Sequence, residues 1–102
     1  MLPPYVKIKE RSFLARLATI KLRQPRVAMV ISTTIHLWGV TRQEFLSNPR
    51  WLRHELTHVE QFKKLGTFRF LVLYLWQSIV RGYRNNRFEV EARASEVPEY
   101  RP

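Results

Sequence analysis

The sequence contains no cysteine, which excludes disulfide bonds and thiolate metal ligands. Any transition-metal site in this chain must therefore be built from histidine and carboxylate side chains. Acidic residues are also scarce, because 8 glutamates stand against 18 lysines and arginines, and the formal net charge is +10. This balance favours anionic partners such as nucleic acid, an anionic membrane surface or an acidic peptide. No long run of like charges marks a nucleic-acid-binding tail.

Long hydrophobic runs are absent as well. The most apolar stretch, FLVLYLW at residues 70–76, is far shorter than the roughly 20 residues that span a bilayer. The first residues are not expected to act as a signal peptide, because Arg16 and Lys21 interrupt their apolar part. We therefore expect a cytoplasmic protein, with peripheral attachment to a membrane left open.

The length of the chain indicates one domain over residues 1–102, with flexible tails at 1–10 and 97–102. An amphipathic helix is predicted for SFLARLATIKLR, and the β-branched segments RVAMVIS and TIHLWG are predicted to form two antiparallel strands. Helices then dominate the rest of the chain. This order predicts an α+β fold, in which helices pack on one side of a small antiparallel sheet.

The helix boundaries carry local signals. TRQE at 41–44 matches a capping box, which predicts a short helix near residues 42–47. The segment SNPRW then starts a longer helix, with asparagine as the cap and proline at the first helical position, and we expect it to end at Gly66. Thr67 is expected to cap the next helix. A last short helix is predicted to start near Asn85 or Asn86 and to end before Pro98.

The longer helix contains HELTH at residues 54–58. His54 and His58 lie one turn apart on the same face of a helix, so that two imidazoles can reach one metal ion. Glu55 points about 100° to the side, where it can act as a general base toward a water that a zinc ion has acidified. On a helical wheel, Glu55 falls within the apolar arc, and the two histidines lie at its edge. A glutamate in an apolar arc indicates a functional site, because burying it is otherwise costly.

A catalytic zinc site needs a third protein ligand and an open position for water. In a chain without cysteine, the candidates are His36 in TIHLWG and the two glutamates of NNRFEVEARASE, Glu89 and Glu91. These glutamates lie about 200° apart on a helix, so they cannot both face one ion. Periodicity favours Glu91, which groups with the smaller and more apolar residues, whereas Glu89 lies on a face that looks solvated.

The motifs HELTHVEQF and NNRFEVEA, separated by an apolar helix, resemble the gluzincin group of zinc metallopeptidases. They are most similar to small bacterial zincin-like domains, and the resemblance covers roughly residues 26–96. It implies a minimal zincin-like fold with an HExxH active-site helix and Zn²⁺ as cofactor. It also implies His54, His58 and Glu89 as the metal ligands and Glu55 as the catalytic base, which favours Glu89 over Glu91.

The chain departs from the family at one position near the site. Family members often carry an acid four residues after the ligand glutamate, where it holds the ring of the first histidine. This chain has Arg93 there, so that no outer partner is predicted for His54. TIHLWG is expected to form the edge of the sheet above the site and to pair with an extended peptide. Tyr74, Tyr83 and His36 are candidate donors to the oxyanion.

The function that these features favour is zinc-dependent hydrolysis of a peptide or protein substrate, with a zinc-activated water attacking the carbonyl. An alternative from a different class is a catalytically inactive binding module that contains zinc. Such a module would use an arginine-rich helical surface to bind nucleic acid or an anionic membrane. That surface would comprise Arg69, Arg81, Arg84 and Arg87.

Overall fold

Three strands and five helices follow one another over residues 2–97, which are the residues that the computed structural model describes. Their arrangement is α+β, as predicted. The elements are β1 (Lys7–Lys9), α1 (Phe13–Leu22), β2 (Val27–Ile31), β3 (Thr34–Trp38), α2 (Arg42–Leu46), α3 (Pro49–Leu65), α4 (Thr67–Asn85) and α5 (Arg87–Ala94).

The sheet is mixed, and the prediction of a purely antiparallel sheet was wrong. Its strand order is β1–β3–β2, with β2 antiparallel and β1 parallel to the central strand β3. β1 falls within residues 1–10, which were expected to be a tail. Its Lys-Ile-Lys pattern is too short to indicate a strand by itself, and pairing with β3 forms it. Of the expected tail at 97–102, all but Val97 lies outside the described residues.

Helices lie on both faces of the sheet, and the prediction that they pack on one side was also wrong. Side chains alternate between the faces of a strand. Ile35 and Leu37 of β3 are fully buried in the core beneath α3, α4 and α5. The intervening His36 points to the opposite face, where its Nδ1 lies 2.8 Å from the Ser12 hydroxyl at the start of α1. The small residue Ala15 packs α1 against that face.

The predicted boundaries of α2 and α3 are confirmed. Thr41 and Glu44 form the reciprocal hydrogen bonds of a capping box at α2. The Asn48 side chain accepts a hydrogen bond from the Trp51 backbone at the start of α3, and α3 ends before Gly66, whose φ is 87°. These capping contacts set the start, the end and the rotation of the helix that carries HELTH.

The chain returns to α3 through a break in α4. Gly82, at φ 79°, interrupts the helical conformation, and Asn86 then caps α5 by accepting a hydrogen bond from the Phe88 backbone. Asn86 is fully buried and also donates to the Tyr74 carbonyl and to the Ser78 hydroxyl. This contact folds α5 back beside α4 and α3. The expected Thr67 cap is wrong, because Thr67 is the first helical residue and makes no capping side-chain bond.

Candidate metal centre

α3 places the two histidines and the glutamate of HELTH at the boundary between the core and a cleft. The ring centroids of His54 and His58 lie 5.1 Å apart. Glu55 is buried with only 5% of its surface exposed, so the wheel correctly placed this glutamate on the inward face of the helix. A carboxylate at this depth is costly unless charged or hydrogen-bonding groups face it.

Glu89 extends from α5 toward both histidines. Its Oε1 lies 3.1 Å from His54 Nε2, and its Oε2 lies 3.2 Å from His58 Nε2. One donor atom from each of these three residues lies within 4.8 Å of the other two, which is the arrangement of a potential metal site. The structure thus brings His54, His58 and Glu89 together.

The two other candidates for a third ligand lie elsewhere. Glu91 accepts a hydrogen bond of 2.7 Å from Gln61 Nε2. His36 pairs with Ser12 on the other face of the sheet. Neither belongs to the group of donor atoms around the HELTH histidines in the described part of the chain.

Each histidine is oriented by an acceptor on its second ring nitrogen. His54 Nδ1 donates to Glu96 Oε2 at 2.8 Å, and His58 Nδ1 donates to Gln61 Oε1 at 2.8 Å. Both Nε2 atoms are thereby directed toward Glu89. Metal-ligating histidines characteristically use one nitrogen for the ion and the other for such a partner.

Glu96 is a residue of the candidate site that was not predicted from the sequence. The family pattern points to the position four residues after Glu89, where Arg93 stands. Glu96 lies seven residues after Glu89, in the turn that follows the end of α5 at Ala94. The arginines of α3 hold it there, since Arg50 Nε donates to its carboxylate at 2.9 Å and Arg53 donates to its backbone carbonyl.

Two tyrosines stand close to this group. The Tyr74 hydroxyl donates to Glu89 Oε2, so it orients this carboxylate and is already engaged. Tyr83 is half exposed and lines the cleft. Of the three residues predicted as candidate oxyanion donors, His36 faces away and Tyr74 is bound to Glu89, so Tyr83 is the candidate that lines the cleft.

The ionisation of the site reflects its burial and its dense charges. Burial alone would lower the pKa of His54, but the hydrogen bonds to Glu89 and Glu96 and the charge of Glu55 outweigh it and raise the pKa to about 9. Burial raises the pKa of Glu55 to about 7, although the nearby histidines oppose the shift. Burial also opposes the shift at Glu89, yet hydrogen bonds from His54 and His58 hold the pKa of Glu89 well below its usual range. Without metal, the group is a hydrogen-bonded cluster of imidazolium and carboxylate.

The cleft beside the cluster has a volume of about 360 Å³. It is bordered by β2, by the end of α1, by α3 and by the end of α4, and its lining includes Val27, Ala28, His54, Glu55 and Tyr83. The edge strand at this cleft is β2. The expectation that TIHLWG forms the edge was wrong, because β3 is the central strand and both of its sides are already paired.

Comparison with protein-family models, with curated proteins and with solved structures found no match to this chain. The resemblance to gluzincins therefore depends on the residues of the chain itself. Among residues 2–97, no helix combines the length and the apolar character needed to cross a bilayer.

Replacing Glu96 by glutamine should weaken zinc binding by about 10–100-fold, which is the usual effect of losing an outer partner of a ligating histidine. The carboxylate that accepts from His54 Nδ1 becomes an amide, so the imidazole is less basic and less firmly oriented. Competition with a chromogenic chelator measures the affinity. Glu44→Gln is a matched control, because Glu44 lies in the cap of α2 and does not contact the histidines. Equal affinities for the two variants would contradict this role of Glu96.

The metal-free protein should lose stability as the pH rises from about 4.5 to about 9. The pKa of His54 is raised from 6.5 to about 9, so its stabilising contribution is complete below 6.5 and is lost as the pH passes 9. The pKa of Glu55 is raised from 4.5 to about 7, so ionisation of this buried acid lowers stability between those values. Both effects have the same sign, so together they lower the free energy of unfolding across this pH range.

Bound zinc should reverse this dependence, because the ion needs deprotonated imidazoles. Urea unfolding across this pH range, with saturating zinc and with a chelator, measures both slopes. Glu55→Gln should remove the part of the metal-free slope between about pH 4.5 and pH 7, since the amide does not ionise. A metal-free protein that becomes more stable as the pH rises would contradict the assignment.

Proposed function

We propose that this chain is a zinc-dependent, metallopeptidase-like hydrolase, with His54, His58 and Glu89 as ligands and Glu55 as general base. The observation that carries the proposal is the histidine pair, in which both nitrogens of each ring make a defined contact. Both Nδ1 atoms are occupied by acceptors, and both Nε2 atoms meet the carboxylate of Glu89.

The donor set suits zinc. Two imidazole nitrogens and one carboxylate are the ligands of many catalytic zinc sites, where a fourth position stays open. Ligands about 2.0–2.1 Å from a tetrahedral ion lie about 3.3 Å from one another. In the metal-free site, the contacts of His54 and His58 with Glu89, at 3.1 and 3.2 Å, involve different carboxylate oxygens, and one donor atom from each residue lies within 4.8 Å of the other two. A bound zinc ion would supply Lewis-acid chemistry, lowering the pKa of a water and polarising a carbonyl.

Glu55 has the properties of a general base at neutral pH. It lines the cleft, is not one of the three proposed ligands, and has a pKa raised to about 7 by burial. A carboxylate of this pKa can accept the proton of an attacking water and pass it to the leaving amine. Tyr83, which lines the same cleft, would donate to the oxygen of the attacked carbonyl.

The edge of the sheet supports a peptide as substrate. The outer side of β2 has no strand partner among residues 2–97, and its Val27 and Ala28 line the cleft together with His54 and Glu55. An extended peptide that added to this edge would form backbone hydrogen bonds with β2. Its scissile carbonyl would then lie over the HELTH helix.

Metal analysis of the purified protein, followed by digestion of a peptide library, tests the proposal. We expect one zinc per chain, cleavage that stops with a chelator, and cleavage that returns when zinc is restored. Stoichiometric zinc without any cleavage would favour the alternative, an inactive module that contains zinc. Full zinc content in a His54→Ala, His58→Ala double variant would contradict the site itself.

A further inference from the structure

The outward face of α4 is apolar although the helix lies on the surface. Its inward face, which includes Phe70, Tyr74 and Gln77, packs on the rest of the domain. The opposite face carries Phe68, Leu75 and Ile79, whose exposures are 80%, 61% and 73%. A helix that is apolar all round is normally buried, so this face is expected to be covered by a binding partner.

α1 has the same character. It packs on the sheet through the small residue Ala15, while Phe13 and Ile20 are 69% and 70% exposed. The apolar side of the amphipathic pattern in the sequence is therefore the exposed side of this helix. The C-terminal ends of both helices reach the catalytic cleft, where Leu22 and Tyr83 are each half exposed. The apolar face of α4 thus extends to the rim of the cleft, whereas that of α1 lies on the other side of the sheet.

The charges on these helices select the partner. Neither α1 nor α4 contains an acidic residue, whereas exposed cations stand at the ends of α4, at Arg69, Arg81 and Arg84. A second copy of the chain would bring like charges together, since each carries a formal net charge of +10. Nucleic acid would pair with the cations but would leave the aliphatic face exposed to water. An anionic bilayer would contact both groups of residues, because its acyl chains bury the apolar face and its headgroups pair with the cations.

We infer that the outward face of α4 forms an interfacial docking surface for anionic phospholipid bilayers. The helix lies in the plane of the interface, which agrees with the lack of a spanning helix among the described residues. Trp76, 57% exposed on the outward face of α4, is of the residue type that anchors at the headgroup level. Docking would bring the rim of the cleft to the lipid surface. The inference goes beyond the proposed hydrolysis and does not depend on the metal.

Vesicle flotation of the full chain tests this inference. The probes are vesicles of phosphatidylcholine with an equal part of phosphatidylglycerol, and vesicles of phosphatidylcholine alone. We expect binding to the anionic vesicles, weakening as salt is added, and much less binding to the neutral ones. Lipid-borne quenchers should reduce the fluorescence of the wild type more than that of Trp76→Phe.

Ile79→Glu should weaken binding at least tenfold, about the effect of removing one aliphatic side chain from the bilayer. Val90→Glu is the matched control, because it adds the same charge at an exposed apolar residue of α5. Circular dichroism verifies that both variants fold. Equal losses in the two variants, or no binding to either kind of vesicle, would overturn the inference. So would a lipid-free dimer that Ile79→Glu dissociates, or binding to duplex DNA that excludes the vesicles.

Discussion

Glu55→Gln should reduce peptide hydrolysis by about 100-fold to 10,000-fold, the range that a general base contributes. Glutamine keeps the shape of the side chain but cannot accept the proton of the attacking water. Zinc content should stay at the wild-type level, because Glu55 is not among the three clustered donors. The variant should also be at least as stable as the wild type above about pH 7, since a buried carboxylate of raised pKa is replaced by a neutral amide.

Single-turnover cleavage of a fluorogenic peptide chosen from the library digest measures the effect, with zinc determined on the same samples. Glu60→Gln is the matched control, because Glu60 lies on the same helix but is exposed and bonds to Tyr5. Cleavage at the wild-type rate by Glu55→Gln would exclude Glu55 as the base. Loss of zinc together with activity would instead indicate that Glu55 supports the metal site.

The parts of this fold that sequence reasoning predicted are those with local causes. α3 begins at Asn48 and Pro49 and ends before Gly66 because capping depends on neighbours in the chain. The burial of Glu55 follows from helical periodicity alone, since 100° per residue fixes which side chains share a face.

The parts that were missed depend on distant contacts. β1 is three residues long and exists only because β3 lies beside it. The position of β3 at the centre of the sheet follows from that pairing, so it was mistaken for an edge. The exposed apolar face of α1 was not recognised because hydrophobic periodicity does not distinguish a core face from an exposed one, and here the small residue Ala15 packs on the sheet.

Periodicity also pointed to Glu91, whereas Glu89 is the residue that faces the histidines. Periodicity and the family resemblance disagreed because the face of α5 that carries Glu89 has, in the sequence, the residue types of a solvated face. In the fold this face is lined by polar partners, namely the histidines, Tyr74 and the cleft, so it is buried without being apolar. Glu91, on the other side, contacts Gln61 and thereby supports the partner of His58.

Zinc affinity should therefore fall far more in Glu89→Gln than in Glu91→Gln. Loss of Glu89 removes a direct ligand and leaves two histidines, so we expect a loss well beyond the roughly 100-fold limit typical of outer partners. Glu91 acts on the ion only through Gln61 and His58, two hydrogen bonds away, and we expect a loss of about tenfold or less. The two variants carry the same substitution two residues apart on one helix, so each is the control for the other.

Competition with a chelator of known affinity at fixed pH measures both constants. The pH must be held because removing Glu89 also lowers the pKa values of His54 and His58, which by itself eases metal binding. That effect works against the expected loss in Glu89→Gln, so a large loss would be strong support for direct ligation. Gln61→Leu adds a third comparison, because it removes the direct acceptor of His58 Nδ1 and should lose about 10–100-fold, more than Glu91→Gln but less than Glu89→Gln. If Glu91→Gln and Gln61→Leu lose far more affinity than Glu89→Gln, the ligand assignment is wrong.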